Sequence, residues 1–218
     1  MAFHSIRDLP DVIPIFPLTG VLLLPRGRLP LNIFEPRYLA MTSDALGSHR
    51  FIGMVQPSGE KQAGDRQIPV YGIGCAGRIT TFSETEDGRF LITLTGVCRF
   101  EIVEELALQK GYRRVRASYD RFADDLKEDD AGVVDRERLL PVLHDYFEAN
   151  GISADWNAVQ EAPCDQLVTS LAMICPFEPR EKQALLESPD LRSRADLMIS
   201  LLEMAIIGGS GGQDSPVN

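Results

Sequence analysis

A glycine-rich run, three histidines, four cysteines and an acidic cluster are the features of this 218-residue chain whose types and spacing could do chemistry. Gly72-Ile-Gly74-Cys-Ala-Gly77 matches the pattern that holds a dinucleotide pyrophosphate, and it comes after the apolar run Ile68 to Tyr71. A phosphate, however, needs a helix N-terminus directly after the glycines. The next residues are instead Arg78-Ile79-Thr80-Thr81-Phe82-Ser83, a β-branched stretch leading to Asp87-Gly88, so the glycines read as places of bulging and close strand approach. No GxxxxGK[ST] and no GxSxG occur, and the run Gly208 to Gln213 precedes no Lys-Ser/Thr pair.

Nucleophilic catalysis with a histidine base finds no support. His4 lies near the terminus, His49 beside the Gly47-Ser48 turn and His144 in a helical stretch, and each reads as a surface or satisfied histidine. A Ser/Lys dyad would need a lysine in apolar surroundings, and Lys61, Lys110, Lys127 and Lys182 read as turn or polar positions. Cys75, Cys98, Cys164 and Cys175 show neither CxxC nor paired histidines, which points to reduced, buried thiols rather than zinc or redox chemistry. The acidic stretch 124–130 lacks the glycine and distal glutamate of a calcium loop and reads as a solvated linker. Trp156 reads as a packing residue of the second half. No cofactor and no metal are expected.

The elements that would carry these residues change character along the chain. From Ile13 to Tyr119 short runs rich in Val, Ile, Thr and Phe dominate, namely 13–18, 21–24, 29–34, 50–56, 68–73, 77–84, 90–99 and 112–119. The prolines of the first run favour a sheet edge or an irregular strand. Asp87-Gly88 between two such runs is a hairpin signal. One helix over about 36–47 interrupts them, with Pro36 at its first turn and apolar residues at Tyr38, Leu39, Met41, Ala45 and Leu46. Many strands with one helix predict a compact, barrel-like antiparallel or mixed sheet. After Asp120 the apolar period becomes helical: Val133, Leu140, Leu143 and Phe147, then Leu167, Leu171 and Ile174, then Leu191, Ala195, Met198 and Leu202. Pro141 marks a kink or break, while Ser153, Pro163 and Pro179 fit helix starts and Asn150-Gly151 a helix end. The predicted organisation is α+β: a β-rich unit over 1–119, an α-helical bundle over 120–207 and a flexible tail over 208–218.

Composition limits the function. With 22 basic and 32 acidic side chains the net charge is −10, unsuited to neutralising a nucleic-acid backbone, although residues 1–117 alone hold 14 basic and 12 acidic. The N-terminus has no basic segment leading into an apolar run, and the apolar runs are far below the roughly 20 residues needed to span a bilayer. A cytoplasmic protein without a membrane contact is expected.

Four blocks in order resemble the N-terminal substrate-recognition domain of Lon proteases and the helical segment that comes after it. They are Ile13-Pro-Ile-Phe-Pro-Leu-Thr-Gly-Val-Leu-Leu-Leu-Pro25 with Leu29-Pro-Leu-Asn-Ile-Phe-Glu-Pro-Arg-Tyr38, then Gly72 to Ile79, Gly96-Val-Cys-Arg-Phe100, and Pro176-Phe-Glu-Pro-Arg-Glu-Lys-Gln-Ala-Leu-Leu-Glu187. The resemblance implies a PUA-like β pseudobarrel succeeded by a helical bundle. It also implies a binding role toward unfolded or damaged polypeptides, alone or as an adaptor to a Lon-type protease. Lon's ATPase and Ser/Lys peptidase lie after this region and have no counterpart before Asn218, so neither ATP hydrolysis nor peptide cleavage is expected.

Loose recognition of unfolded chains relies on apolar burial ringed by polar groups. Phe34, Glu35, Arg37 and Tyr38, at the start of the short helix, form the candidate surface, with Arg78 and Arg99 as weaker candidates. The same residues suit a helix start, in which Glu35 complements the dipole, Phe34 staples the first turn and Tyr38 joins the core. The alternative function is that of a nucleic-acid-binding PUA-like protein, which would show as affinity falling steeply with salt. Apolar residues on the helical half leave room for a homodimer.

Overall fold

The structure, a computed structural model, describes residues 3–59, 67–127 and 134–210. It divides into two compact units, Met1–Glu128 and Asp129–Asn218.

The first unit is a barrel. Its strands are β1 (Val12–Pro17), β2 (Arg28–Ile33), β3 (Phe51–Val55), β4 (Ile73–Glu84), β5 (Phe90–Gln109) and β6 (Tyr112–Ser118), with helix α1 (Pro36–Leu46) between β2 and β3. The sheet order β2-β5-β4-β3-β1-β6 closes because β5 also pairs with β6, leaving β2 outside the ring. The length of β5 makes this closure possible. Its first part pairs with β4, Glu101 pairs with both Ile73 and Ser118, and the rest runs with β6, with a register shift between Ile102 and Glu104 that turns the strand from one partner to the other. Two turns in left-handed backbone join the hairpins, Gly88 at φ 78° and Lys110-Gly111 at φ 48° and 85°.

The prolines of β1 find a place inside the ring rather than on an edge. β1 changes partner at Ile15, so Pro14 faces Arg114 of β6 alone and Pro17 faces Val55 of β3 alone, and neither is asked to serve two ladders. Two expected strands are absent. Leu22, Leu23 and Leu24 are buried in extended chain without a ladder, and Ile68 to Gly72 contributes only the bridge between Val70 and Pro57. The glycines of the GxGxxG run lie on the barrel wall. A Cβ on Gly74 would come within 2.6 Å of the Met54 carbonyl oxygen, and one on Gly77 within 2.6 Å of Leu23 Cδ2. Close approach, not phosphate binding, accounts for both.

Residues 120–126 belong to the barrel, not to the helical unit as the composition shift suggested. They form a 3₁₀ segment, Asp120–Leu126, packed on β5. Asp125 there receives the buried Arg99 guanidinium, and Cys98 Sγ lies 3.3 Å from the Phe122 carbonyl oxygen. The acidic stretch is thus no solvated linker at Asp125; residues 128–130 lie outside the described ones.

The second unit is helical: α2 (Arg136–Ala149), α3 (Trp156–Glu161), α4 (Cys164–Ile174), α5 (Pro179–Glu187) and α6 (Leu191–Ser210), with α2, α4 and α5 each packed on α6. Asp135 caps α2 and Asp155, rather than Ser153, caps α3 by accepting from Asn157 and Ala158 N–H groups. Glu178 and Glu181 form a capping box on α5. Arg136 donates to the carbonyls of Val159, Gln160 and Ala162, satisfying the end of α3. Helix α2 continues through Pro141, and its buried face is Leu139, Leu143, Tyr146 and Phe147, with Leu140 at the border. In α4 the buried stripe Cys164, Leu167, Val168, Leu171 and Ala172 leaves Ile174 solvent-exposed, because the stripe drifts away from it around the helix. Leu191, Ala195, Met198 and Leu202 are all buried as expected, and Val133 lies outside the described residues. Trp156 packs against His144 and Phe147, with ring centroids at 4.8 and 5.7 Å. Helix α6 reaches Ser210, past the expected tail start at 208, since glycine costs a helix only about 1 kcal/mol.

Candidate functional site

Pro36 at the first turn and the apolar side of α1, Tyr38, Met41 and Ala45, hold this helix on the barrel. The four residues at its start point to different places. Phe34 is 61% exposed, with the Arg89 guanidinium 6.0 Å from its ring. Glu35 is the N-cap residue but forms no side-chain cap; its carboxylate instead pairs with Arg37 at 2.9 Å. Arg37 in turn lies over the Tyr38 ring at 4.5 Å. Tyr38 is 7% exposed, its ring 4.3 Å from Phe16, and burial raises its phenol pKa.

Arg37 and Tyr38 form one side of a groove of about 480 Å³. Ile15, Pro17 and Leu18 come to it from β1 and its end, Ile68 from the segment before β4, Leu108 from β5, and Tyr112 and Arg113 from β6. Phe34 and Glu35 do not line it. The polar groups around it are fixed in place. Arg113 grips Glu105 through two hydrogen bonds of 2.7 and 2.8 Å and donates to the Ile68 carbonyl at 2.8 Å, pinning the apolar lip. Tyr112 donates to Asp44 at 2.8 Å, and Lys110 and Gln109 bind the same carboxylate at 2.6 and 3.1 Å. Burial first, and then Asp44, push the Tyr112 pKa up to about 12, so this phenol remains a donor at neutral pH. The side-chain oxygen of Gln67, another lining residue, is buried without a hydrogen-bond donor among the described residues. The groove therefore offers apolar walls, a cation and amide and phenol groups, a set suited to holding a chain rather than cleaving it.

Sequence reasoning missed most of these residues, since Ile15, Ile68, Leu108 and Arg113 meet only through barrel closure. Of the weaker candidates, Arg99 is buried in its ion pair with Asp125, whereas Arg78 borders a separate cleft. The catalytic options weigh no more in the structure. His49 accepts from the Phe51 N–H through Nδ1, and burial lowers its pKa. Lys182 departs from expectation: it is buried, its pKa lowered by burial, and its amine donates to the Met173 carbonyl at 3.1 Å. The described cysteines are all buried and free, and burial pushes Cys98 up to about 12 and Cys175 to about 11. Among the described residues the one grouping of metal-ligand atoms is His144, Asp145 and Glu148, all exposed on α2. No helix among them is long and apolar enough to cross a membrane.

A closed barrel with a helical bundle after it and a groove at its one helix defines a recognition module of the Lon type. The model of the ATP-dependent protease La (LON) substrate-binding domain matches residues 12–204, and the chain belongs to that family. Lon protease 2 of Myxococcus xanthus is 26% identical over 198 residues, and Lon protease of Methylocella silvestris 27% over 207, each match covering 90% of this chain and 24% of the relative. The chain thus spans about a quarter of the length of these curated relatives, and the likeness lies in the substrate-binding domain rather than in a catalytic one. In fold it is similar to the Lon N-terminal domain protein from Xanthomonas campestris, with TM-score 0.59, 21% identity and coverage of 87% of this chain and 97% of that one. The N-terminal domain of Mycobacterium avium complex Lon protease is similar at TM-score 0.58 and 14% identity, covering 88% and 98%.

Proposed function

We propose that this chain is a polypeptide-binding module that receives an extended segment of an unfolded or damaged protein in the groove beside α1. The observation that carries the reading is the groove itself, with the apolar side chains of Ile15, Pro17, Ile68 and Leu108 facing the fixed polar groups of Arg37, Tyr112 and Gln67. Apolar walls bind side chains with little regard to sequence, and the polar groups satisfy the backbone of an extended chain, which folded proteins keep occupied. Arg37 and Tyr38 serve this site directly, while Phe34 and Glu35 act from outside it, Glu35 by holding Arg37.

On this reading the chain itself cleaves nothing and hydrolyses no nucleotide; it selects polypeptides, alone or for a Lon-type protease, in a reducing compartment such as the cytoplasm. Binding of a reduced, unfolded model protein to the wild type and to Leu108→Asp tests it. A charge placed in the apolar wall should weaken binding about tenfold or more, whereas unchanged binding would remove the groove from the account.

A further inference from the structure

We propose that a second cleft on the barrel unit, walled by Arg26, Arg50 and Arg78, binds the side-chain carboxylates of a short acidic peptide segment. The cleft measures about 610 Å³, within the roughly 300–1,000 Å³ typical of small-ligand sites. It shares no lining residue with the groove beside α1. Its arginines come from three places: the loop before β2, the end of the α1–β3 connection, and β4.

The charge in this cleft is one-sided. Asp125 is its one acidic lining residue, and both oxygens of that carboxylate are held by the Arg99 guanidinium at 2.7 to 3.2 Å. Its charge is answered from beneath, so three cations face the cleft without a free anion opposite them. Arg26 is oriented by the Asp125 and Lys127 carbonyls, and Arg78 by the Phe3 ring 5.6 Å away. Among the described residues neither Arg50 nor Arg78 is in an ion pair.

The backbone is held in keeping with this. Three non-glycine residues among those described adopt left-handed φ, and two of them, Arg26 and Arg50 at φ 64°, are these arginines. Glycine would take that conformation without strain, so arginine there is retained against the local preference. Both positions are fixed by hydrogen bonds: Arg26 N–H to the Gly96 carbonyl at 2.8 Å, and Arg50 N–H to Ala45 and its carbonyl to Ile79 N–H, each at 2.8 Å. Guanidinium groups set in this way pair with carboxylates.

The apolar share of the lining, Phe3, Ile79, Val97 and Leu126, selects the occupant. A nucleic acid would bring a dense row of phosphates to a chain of net charge −10 and gain nothing from these side chains. A peptide alternating Asp or Glu with Leu or Phe uses both halves of the lining. The inference rests on the polypeptide-binding reading only for the class of its ligand.

The test is fluorescence anisotropy of the full chain with an end-blocked eight-residue peptide of alternating Glu and Leu, its Gln counterpart, and an eight-nucleotide single strand. The Glu peptide should bind about tenfold more tightly than the Gln peptide. Arg50→Gly, which relieves the left-handed backbone, should weaken it severalfold while leaving thermal stability equal or higher, and Arg78→Gln should weaken it with the fold intact. Leu108→Asp should leave it unchanged, and a neutral unfolded protein should not displace it. Equal binding of the two peptides, tighter binding of the oligonucleotide, or full affinity in Arg50→Gly and Arg78→Gln would each overturn the proposal. Failure here with neutral unfolded protein still bound would leave the groove beside α1 standing.

Discussion

Arg99 Nη2 lies 2.7 Å from Asp125 Oδ1, Nε lies 2.9 Å from Oδ2, and the Arg99 backbone N–H donates to that same Oδ2 at 2.9 Å. The arginine is 4% exposed, so the pair ties the 3₁₀ segment to β5 inside the fold. Removing one partner of a buried pair strands the other charge. Asp125→Ala should cost about 3–5 kcal/mol in denaturant unfolding, and adding Arg99→Met should restore part of the loss. A loss of under about 1 kcal/mol, the range of exposed pairs, would contradict this account.

Gly96 is close to the Leu24 carbonyl. A Cβ there would come within 2.0 Å of that oxygen, and the Gly96 N–H itself donates to the Gly27 carbonyl at 2.8 Å. Gly96→Ala should destabilise the barrel by about 3 kcal/mol or more, the upper range for overpacking against a backbone that cannot move aside. Gly72→Ala, where a Cβ meets nothing within 4 Å, is the control and should have little effect on the melting temperature.

Asp44 gives the barrel a pH dependence. Hydrogen bonds from Lys110 and Tyr112 are the leading causes that hold its pKa below the ordinary carboxylate value. The unfolded chain then takes up the proton first, so this contribution is complete above the unfolded value near 4 and is lost as pH falls through the lower folded one. Asp44→Asn should flatten the acid limb of stability against pH. For Tyr112 the neutral phenol is favoured, and its contribution holds below about pH 10 and is lost as pH rises through about 12. Asp44→Asn should lower the Tyr112 pKa only part of the way, because burial is the larger cause. Spectroscopic titration of the phenolate measures this, and an unmoved value would contradict the assigned contact.

Local signals announced the elements that are locally determined. Pro36 and the apolar spacing after it marked α1, Asp87-Gly88 marked a hairpin, and the period through Leu191, Ala195, Met198 and Leu202 marked the buried face of α6. The second half of β5 was hidden because Glu101, Glu104 and Glu105 interrupt its apolar pattern, and their ion pairs with Arg121, Arg116 and Arg113 form only in the folded chain. Leu22 to Leu24 mimicked a strand because a buried extended segment and a buried strand share one composition. The position of Arg37 and Tyr38 beside α1 was readable, but their neighbours Ile68, Leu108 and Arg113 come from segments scattered in sequence. Asp125 illustrates the same limit, since nothing in an acidic run says which carboxylate will find a buried arginine.

The central claim is that the groove beside α1 distinguishes unfolded from folded polypeptide. The direct measurement is anisotropy of one labelled model protein, reduced and unfolded or native, titrated with this chain at low and moderate salt. The account predicts binding of the unfolded form, little affected by salt and weakened about tenfold in Leu108→Asp, with the native form unbound. Equal binding of both forms, or binding of the unfolded form that Leu108→Asp leaves intact, would contradict it.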